Sequence, residues 1–318
     1  MTFREVDLMF SAMNTEIKIV AIDPETRSIV EQVRELFIES EERFSRFIES
    51  SELSSLNRSG ELINASNEMI TILESCVRHH ERTKGVFDPV VLSALESAGY
   101  DRSFELLTER RASMQTPSAM SLNLRDSLSI DRPGKRINTK SRLDLGGIAK
   151  GWTVDRASEL MRTSCSGWLI DAGGDMFCGG DSPDESGWIV GIDDPFTDGE
   201  LVDVVRLDDR AIATSSTVKR SWTANGERQH HIIDPGTGQA SSSELAAVSV
   251  IAETAEHADV LAKCAVILGE SSARELLLQS DSEGRFTRSD GTYSSTDKWP
   301  SILNSITDHA RTEWRTPA

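Results

Sequence analysis

The sequence predicts a soluble α+β protein built as one compact unit, with room for two interlocked α/β subdomains. Three observations carry this. Short apolar stretches of strand length alternate with longer stretches in which apolar residues recur at helical spacing. No repeat of fixed period and no low-complexity linker divides the chain. Finally, 318 residues at 38% hydrophobic content supply one large core or two modest ones.

Residues 16–21 begin with the alternation of a half-buried strand, which Asp23 and Pro24 end. From 26 to 47, Ile29, Val33, Leu36, Phe37, Phe44 and Phe47 recur at helical spacing. The Ser/Asn-rich stretch 50–59 reads as a loop. It leads to a helix over 67–82, whose His79 and His80 complement the helix dipole. The charged stretch 101–142 reads as loops with short strands at 127–130 and 136–138. A helix follows over 149–161, then strands at 168–170, 188–192, 201–207, 210–214 and 246–252. Thr254 caps a last helix that Gly269 ends, and the tail from Asn304 is polar and loosely held. The expected domain spans 8–302, followed by a tail over 303–318.

With 34 basic and 52 acidic residues the formal charge is −18, which argues against binding nucleic acid or an anionic membrane surface. An anionic ligand therefore needs a local basic pocket. The first seven residues carry two acids where a signal peptide has a basic region, and no window reaches membrane-helix length. A cytoplasmic location is expected. Cys76, Cys165, Cys178 and Cys264 lack metal-site spacing and read as small buried hydrophobes in a reducing compartment.

The richest local signal is Leu143-Asp144-Leu145-Gly146-Gly147-Ile148-Ala149-Lys150-Gly151-Trp152, a strand end, two glycines, a lysine and a helix start. Glycines admit a close backbone approach, the helix start offers unpaired N–H groups, and Lys150 adds a full charge, so the turn suits a phosphate. It is neither a Walker loop nor GxGxxG, and as a pattern it also fits a purely structural turn. Four further patches stand beside it. Gly85-Val86-Phe87-Asp88-Pro89 is a ligand turn or a helix entry. His230-His231-Ile232-Ile233-Asp234-Pro235-Gly236 offers a general base or a structural histidine pair. Ala213-Thr214-Ser215-Ser216 is a hydroxyl-rich strand end, either ligand-binding or a turn. Asp259 and Lys263 share one helix face, where the plain alternative is a surface ion pair worth roughly 0.3–0.5 kcal/mol.

In chain order these patches resemble the ApbE family, the FAD:protein FMN transferases. Phe10-Ser11-Ala12-Met13-Asn14-Thr15 is similar to its F-x-A-M-G-T opening, and Phe44-Ser45-Arg46-Phe47 with Ser51 to Asn57 to its F-S-R-Y and S-E-L-S-x-L-N elements. The 85–89, 143–151, 171–175, 213–215, 231–238 and 258–262 segments complete eight ordered motifs across about residues 8–270. The resemblance implies an ApbE-like, T-fold-like unit. It implies an enzyme that cleaves FAD and attaches FMN through a phosphoester bond to a Thr or Ser of an acceptor flavoprotein, with Mg²⁺. Two alternatives use the same residues: an FAD-binding relative with little or no transfer, and a pyrophosphatase yielding FMN and AMP.

Carried over position by position, the resemblance implies that Met13, Phe47, Val86, Phe87 and Asp88 line the flavin or adenosine. Asp144 and Lys150 bind FAD, with Ile232 and Ile233 presenting backbone groups. His231 is the general base, and the Gly147 carbonyl and the catalytic Asp259 carboxylate hold the metal. Three departures stand out. Phe47 replaces tyrosine but keeps the stacking surface, and Asn14 replaces glycine, which a left-handed position tolerates. Lys263 stands where a metal-ligating threonine is usual. Its ammonium has no lone pair for a cation, and the expectation is that it pairs with Asp259 in the metal's electrostatic place.

Overall fold

The computed structural model describes residues 4–25, 27–102, 123–183, 187–224 and 227–303. An eight-stranded antiparallel sheet organises them. Its strands are Glu5–Ala12, Thr15–Ile22, Gly167–Ala172, Asp175–Gly180, Arg210–Ser216, Leu245–Ala252, Glu283–Arg288 and Tyr293–Ser295. They lie side by side in the order in which they occur along the chain.

The period of two sends alternate side chains to two different layers. Ile17, Ile19 and Ala21 meet Val33, Phe37, Val154, Ala157 and Ala258 from the helices Ser28–Phe44, Ala149–Arg162 and Ala255–Leu268. Val20 and Ile22, with Ile212 and Ile251, pack instead on the hairpin Trp188–Asp193/Leu201–Leu207 through Trp188, Val190, Val205 and Leu207. The middle of the sheet is thus covered on both faces, and every residue of Leu245–Ala252 is buried, as its sequence, apolar but for Ser249, requires. A buried ion pair ties the sheet to that hairpin. Arg285 Nη1 lies 3.0 Å from Asp203 Oδ2, which also accepts from Trp299 Nε1 at 3.0 Å.

Between the second and third strands of the sheet the chain inserts the helices Glu52–Ser59 and Asn67–Arg82 and a three-stranded sheet, Glu61–Ile63, Arg136–Thr139 and Leu128–Asp131. Leu53, Leu56, Ile72, Leu73 and Ile137 form its core, together with Trp152, Val260 and Cys264 from the helical layer of the large sheet. The two halves therefore share a core.

Most expected elements are present at or near their expected bounds, and the α+β class holds. Three expectations change. The 50–59 stretch is a helix, Glu52–Ser59, because Ser51 Oγ accepts the Ser54 N–H at its start and Gly60 at φ 73° closes its end. The 26–47 helix stops at Phe44, where Ser45 turns extended. His79 and His80 lie in the last turn of their helix, but both are buried and bonded to other parts of the chain. His79 Nε2 meets Glu256 Oε1 at 2.8 Å, and His80 Nδ1 donates to the Phe87 carbonyl at 3.0 Å. The strands Glu5–Ala12 and Glu283–Arg288 and the helix Glu270–Gln279 were not foreseen. Residues 103–122 of the 101–142 stretch and the tail beyond residue 303 lie outside the described residues.

Candidate active site

The 143–152 turn sits where the large sheet, its helical layer and the insertion meet. Asn57 fixes its entry by exchanging two hydrogen bonds with Leu143, at 2.8 and 2.9 Å. Asp144 Oδ1 accepts the Gly146 N–H at 2.9 Å, an Asx-type turn. The glycines make room for protein, not only for ligand. A Cβ at Gly147 would lie 1.6 Å from Lys263 Nζ, and one at Gly151 would lie 2.5 Å from the Ala255 carbonyl oxygen. No side chain caps the helix at Ile148, so its positive end faces the turn unscreened.

On one side of the turn lies a cleft of about 320 Å³. Met13, Phe47, Val86, Phe87, Asp88 and Asp144 all line it. Met13 and Asn14, at φ 53° and 62°, form the two-residue turn between the first two strands, since both central residues of such a hairpin turn need positive φ. Asn14 thus occupies the left-handed position where glycine is usual. Arg46 builds the lip of the cleft. Its Nε lies 2.7 Å from Asp144 Oδ2, its Nη2 donates to the Tyr100 carbonyl at 2.9 Å, and its guanidinium sits over the rings of Phe47 and Tyr100 at 4.2 and 4.7 Å. Asp88 is buried, and burial raises its pKa while the N–H groups of Val90 and Leu124 oppose the rise.

On the other side lies a second, more polar cleft, reached from the sheet, with Thr214 and Ser215 in its wall. Gly146, Lys150, Arg220, His231 and Lys263 line both clefts and form the partition between them. Lys150 pairs with the buried carboxylate of Asp175. Burial alone would lower the lysine's pKa, but Asp175 and Asp259 outweigh it, so the ammonium stays charged. Burial and the like charge of Asp259 push Asp175 up to about 7. Burial, then the neighbouring Lys263 and Arg220, hold His231 well below the usual histidine range. Its Nδ1 lies 3.4 Å from the Arg220 carbonyl. A carbonyl only accepts, so the proton resides on Nδ1 and Nε2 keeps its lone pair.

Several sequence-based expectations are corrected by this geometry. Ile232 points away from the cleft into the core, its carbonyl bound by the Ser241 N–H at 2.9 Å and its N–H donated to His230 Nδ1 at 3.3 Å. Ile233 does line the cleft. His230 is structural, bonded to the Ser241 carbonyl at 3.0 Å. Asp259 and Lys263 form neither a surface pair nor an ion pair. Asp259 is 5% exposed with Oδ2 lacking any partner, while Lys263 reaches over Gly147 instead. Arg46, Tyr100 and Arg220 were given no role from sequence. Arg46 stands inside the Phe44-Ser45-Arg46-Phe47 motif, whereas no motif surrounds Arg220.

A divalent cation does not fit between Gly147 and Asp259. The ammonium of Lys263 fills the space over Gly147 and has no lone pair to offer a cation.

The profile of the ApbE family matches residues 13–286. Among curated relatives, the FAD:protein FMN transferase of Treponema pallidum is 28% identical over 279 residues, covering 80% of this chain and 75% of its own. That of Vibrio cholerae is 27% identical over 257 residues, covering 77% and 75%. Among solved structures, the ApbE protein of Thermotoga maritima superposes with a TM-score of 0.81 at 26% identity, over 92% of this chain and 97% of its own. The flavin transferase ApbE of Vibrio cholerae shares the fold, with a TM-score of 0.76 at 22% identity over 96% and 100%.

Proposed function

The chain belongs to the ApbE family, and we propose that its two clefts divide the work of an FAD:protein FMN transferase, FAD in the cleft lipped by Arg46 and the acceptor in the cleft beside Thr214. The observation that carries this reading is the shared partition. A flavin dinucleotide and a protein hydroxyl must meet at one phosphorus, and Lys150, Arg220, His231 and Lys263 face both spaces. The aromatic lip of Phe47 and Tyr100 suits a flat ring system, and the cationic partition suits a pyrophosphate.

The acceptor is a Thr or Ser hydroxyl of a flavoprotein. His231 Nε2 takes the hydroxyl proton as the oxygen bonds to the flavin-side phosphorus. The bond from that phosphorus to the bridging oxygen breaks, and AMP leaves with the oxygen. Lys263 and Arg220 offset the charge that gathers on the phosphoryl oxygens. No step is routed through a metal, because the residues present do not fit one. Free thiols at all four cysteines agree with a reducing, cytoplasmic setting. Among the described residues no helix is long and apolar enough to cross a membrane.

The test is incubation of the full chain with FAD and a panel of candidate flavoproteins. Covalent flavin fluorescence on an acceptor, with AMP released in equal amount, is the expected result. Release of FMN and AMP with no labelled protein would identify a pyrophosphatase instead. Bound FAD that stays intact would identify a binding protein. His231→Asn should abolish transfer while FAD still binds.

A further inference from the structure

Four cationic or potentially cationic groups line the partition, and they differ in how their charge is used. Lys150 is neutralised by Asp175. His231 is neutral. Arg220 spends one N–H on the Asn14 carbonyl at 3.2 Å and has no carboxylate partner among the described residues. Lys263 is half-buried, and its ammonium has neither a hydrogen bond nor an ion pair within the described residues. A partly desolvated ammonium with no counter-charge is costly unless an anion completes it. Asp259 lies four residues earlier on the same helix, yet its buried Oδ2 also lacks a partner, so the pair is held apart rather than collapsed on itself.

We infer that Lys263 is the phosphate-binding cation of this enzyme, a tethered ammonium seated over Gly147 that takes the electrostatic role of a divalent ion and makes binding of the dinucleotide metal-independent. The inference rests on the reading of FAD as substrate. Gly147 leaves open the space in which the Lys263 ammonium sits, since a Cβ there would make the lysine move aside. Lys263 and Arg220 together bring two positive charges to a pyrophosphate that carries two negative ones, beside the unpaired carboxylate of Asp259.

The experiment is titration of the full chain with FAD, followed by flavin fluorescence or calorimetry, in EDTA and in Mg²⁺, with riboflavin as a ligand lacking phosphate. The unmodified protein should bind FAD equally well in both. Lys263→Met should weaken FAD binding by about tenfold or more, the loss of one charge-assisted contact, and leave riboflavin binding unchanged. Lys263→Arg should restore most of the affinity. Riboflavin binding by the Met variant reports that the cleft is still folded. FAD binding by the unmodified protein that collapses in EDTA would overturn the inference alone, as would a Lys263→Met protein that binds FAD normally. Absence of FAD binding under both conditions would overturn the substrate reading as well.

Discussion

Arg46 holds Asp144 at 2.7 Å while its own guanidinium lies over the rings of both Phe47 and Tyr100, which also touch each other. One residue thus orients the acid at the base of the cleft and stiffens the aromatic lip at its mouth. Arg46→Ala removes a charge-assisted bond worth about 1.5–3 kcal/mol and frees both rings. Flavin fluorescence titration should show FAD affinity falling by about tenfold or more. Arg46→Lys should recover little of it, since an ammonium has no flat face to lay over two adjoining rings. Full recovery by lysine would show that charge alone matters there.

With His231 as the proposed base, its proton uptake should set the acid limit of activity. Its pKa is depressed from 6.5, so the neutral imidazole persists as pH falls below that value, and the acid limb of the transfer pH–rate profile should lie below pH 6.5. Lys263 contributes to the depression. Lys263→Met should therefore move the limb upward, toward 6.5. The sign for stability is the same. An unfolded chain binds a proton at His231 that the folded one refuses, so stability is full above pH 6.5 and declines as pH drops through the interval below it. A limb that stays fixed in Lys263→Met would rule out this coupling.

Asp203 and Arg285 are 1% and 4% exposed, and Asp203 also receives Trp299 and Ser301. Removing one partner leaves a buried charge without compensation. Asp203→Ala should cost about 3–5 kcal/mol in urea unfolding, although it lies outside both clefts. A loss under 1 kcal/mol would mean that water replaces the carboxylate.

Gly151 is constrained from outside its own helix. Gly151→Ala would press a methyl against the Ala255 carbonyl at 2.5 Å, and backbone there has nowhere to swing. The cost should be about 1–3 kcal/mol by denaturant midpoint, despite alanine's better helix propensity. A stabilised variant would show that the two helices can separate freely.

What sequence could reveal divides along physical lines. Local rules located Thr254 as a cap and Gly269 as a stop, because those residues act on their own backbone. They missed the helix at 52–59, where serines and an asparagine look like a loop but Ser51 is a cap and the apolar Leu53 and Leu56 face the core. Motif order identified the cleft and most of its lining. It could not reveal what Arg220 does, since its partner, Asn14, lies 206 positions away. Nor could it show that Gly147 yields space to Lys263, or that Asp259 is left unpaired. Such facts depend on how two helices cross.

The sheet also has a timetable. Ile22 and Ser166, which bond where the second and third strands meet, are 144 positions apart. At about 5–20 residues per second, a ribosome needs roughly 7–29 s to deliver the second after the first. Through that interval the hairpin of Glu5–Ala12 and Thr15–Ile22 waits with one edge unpaired, and the outward charges of Glu16 and Lys18 guard it against other strands. The insertion has this time to collapse around Leu53 and Leu73 before the sheet closes over it. Lys263 arrives later still, on the helix Ala255–Leu268, so the partition is complete only after six of the eight strands of the sheet have been made.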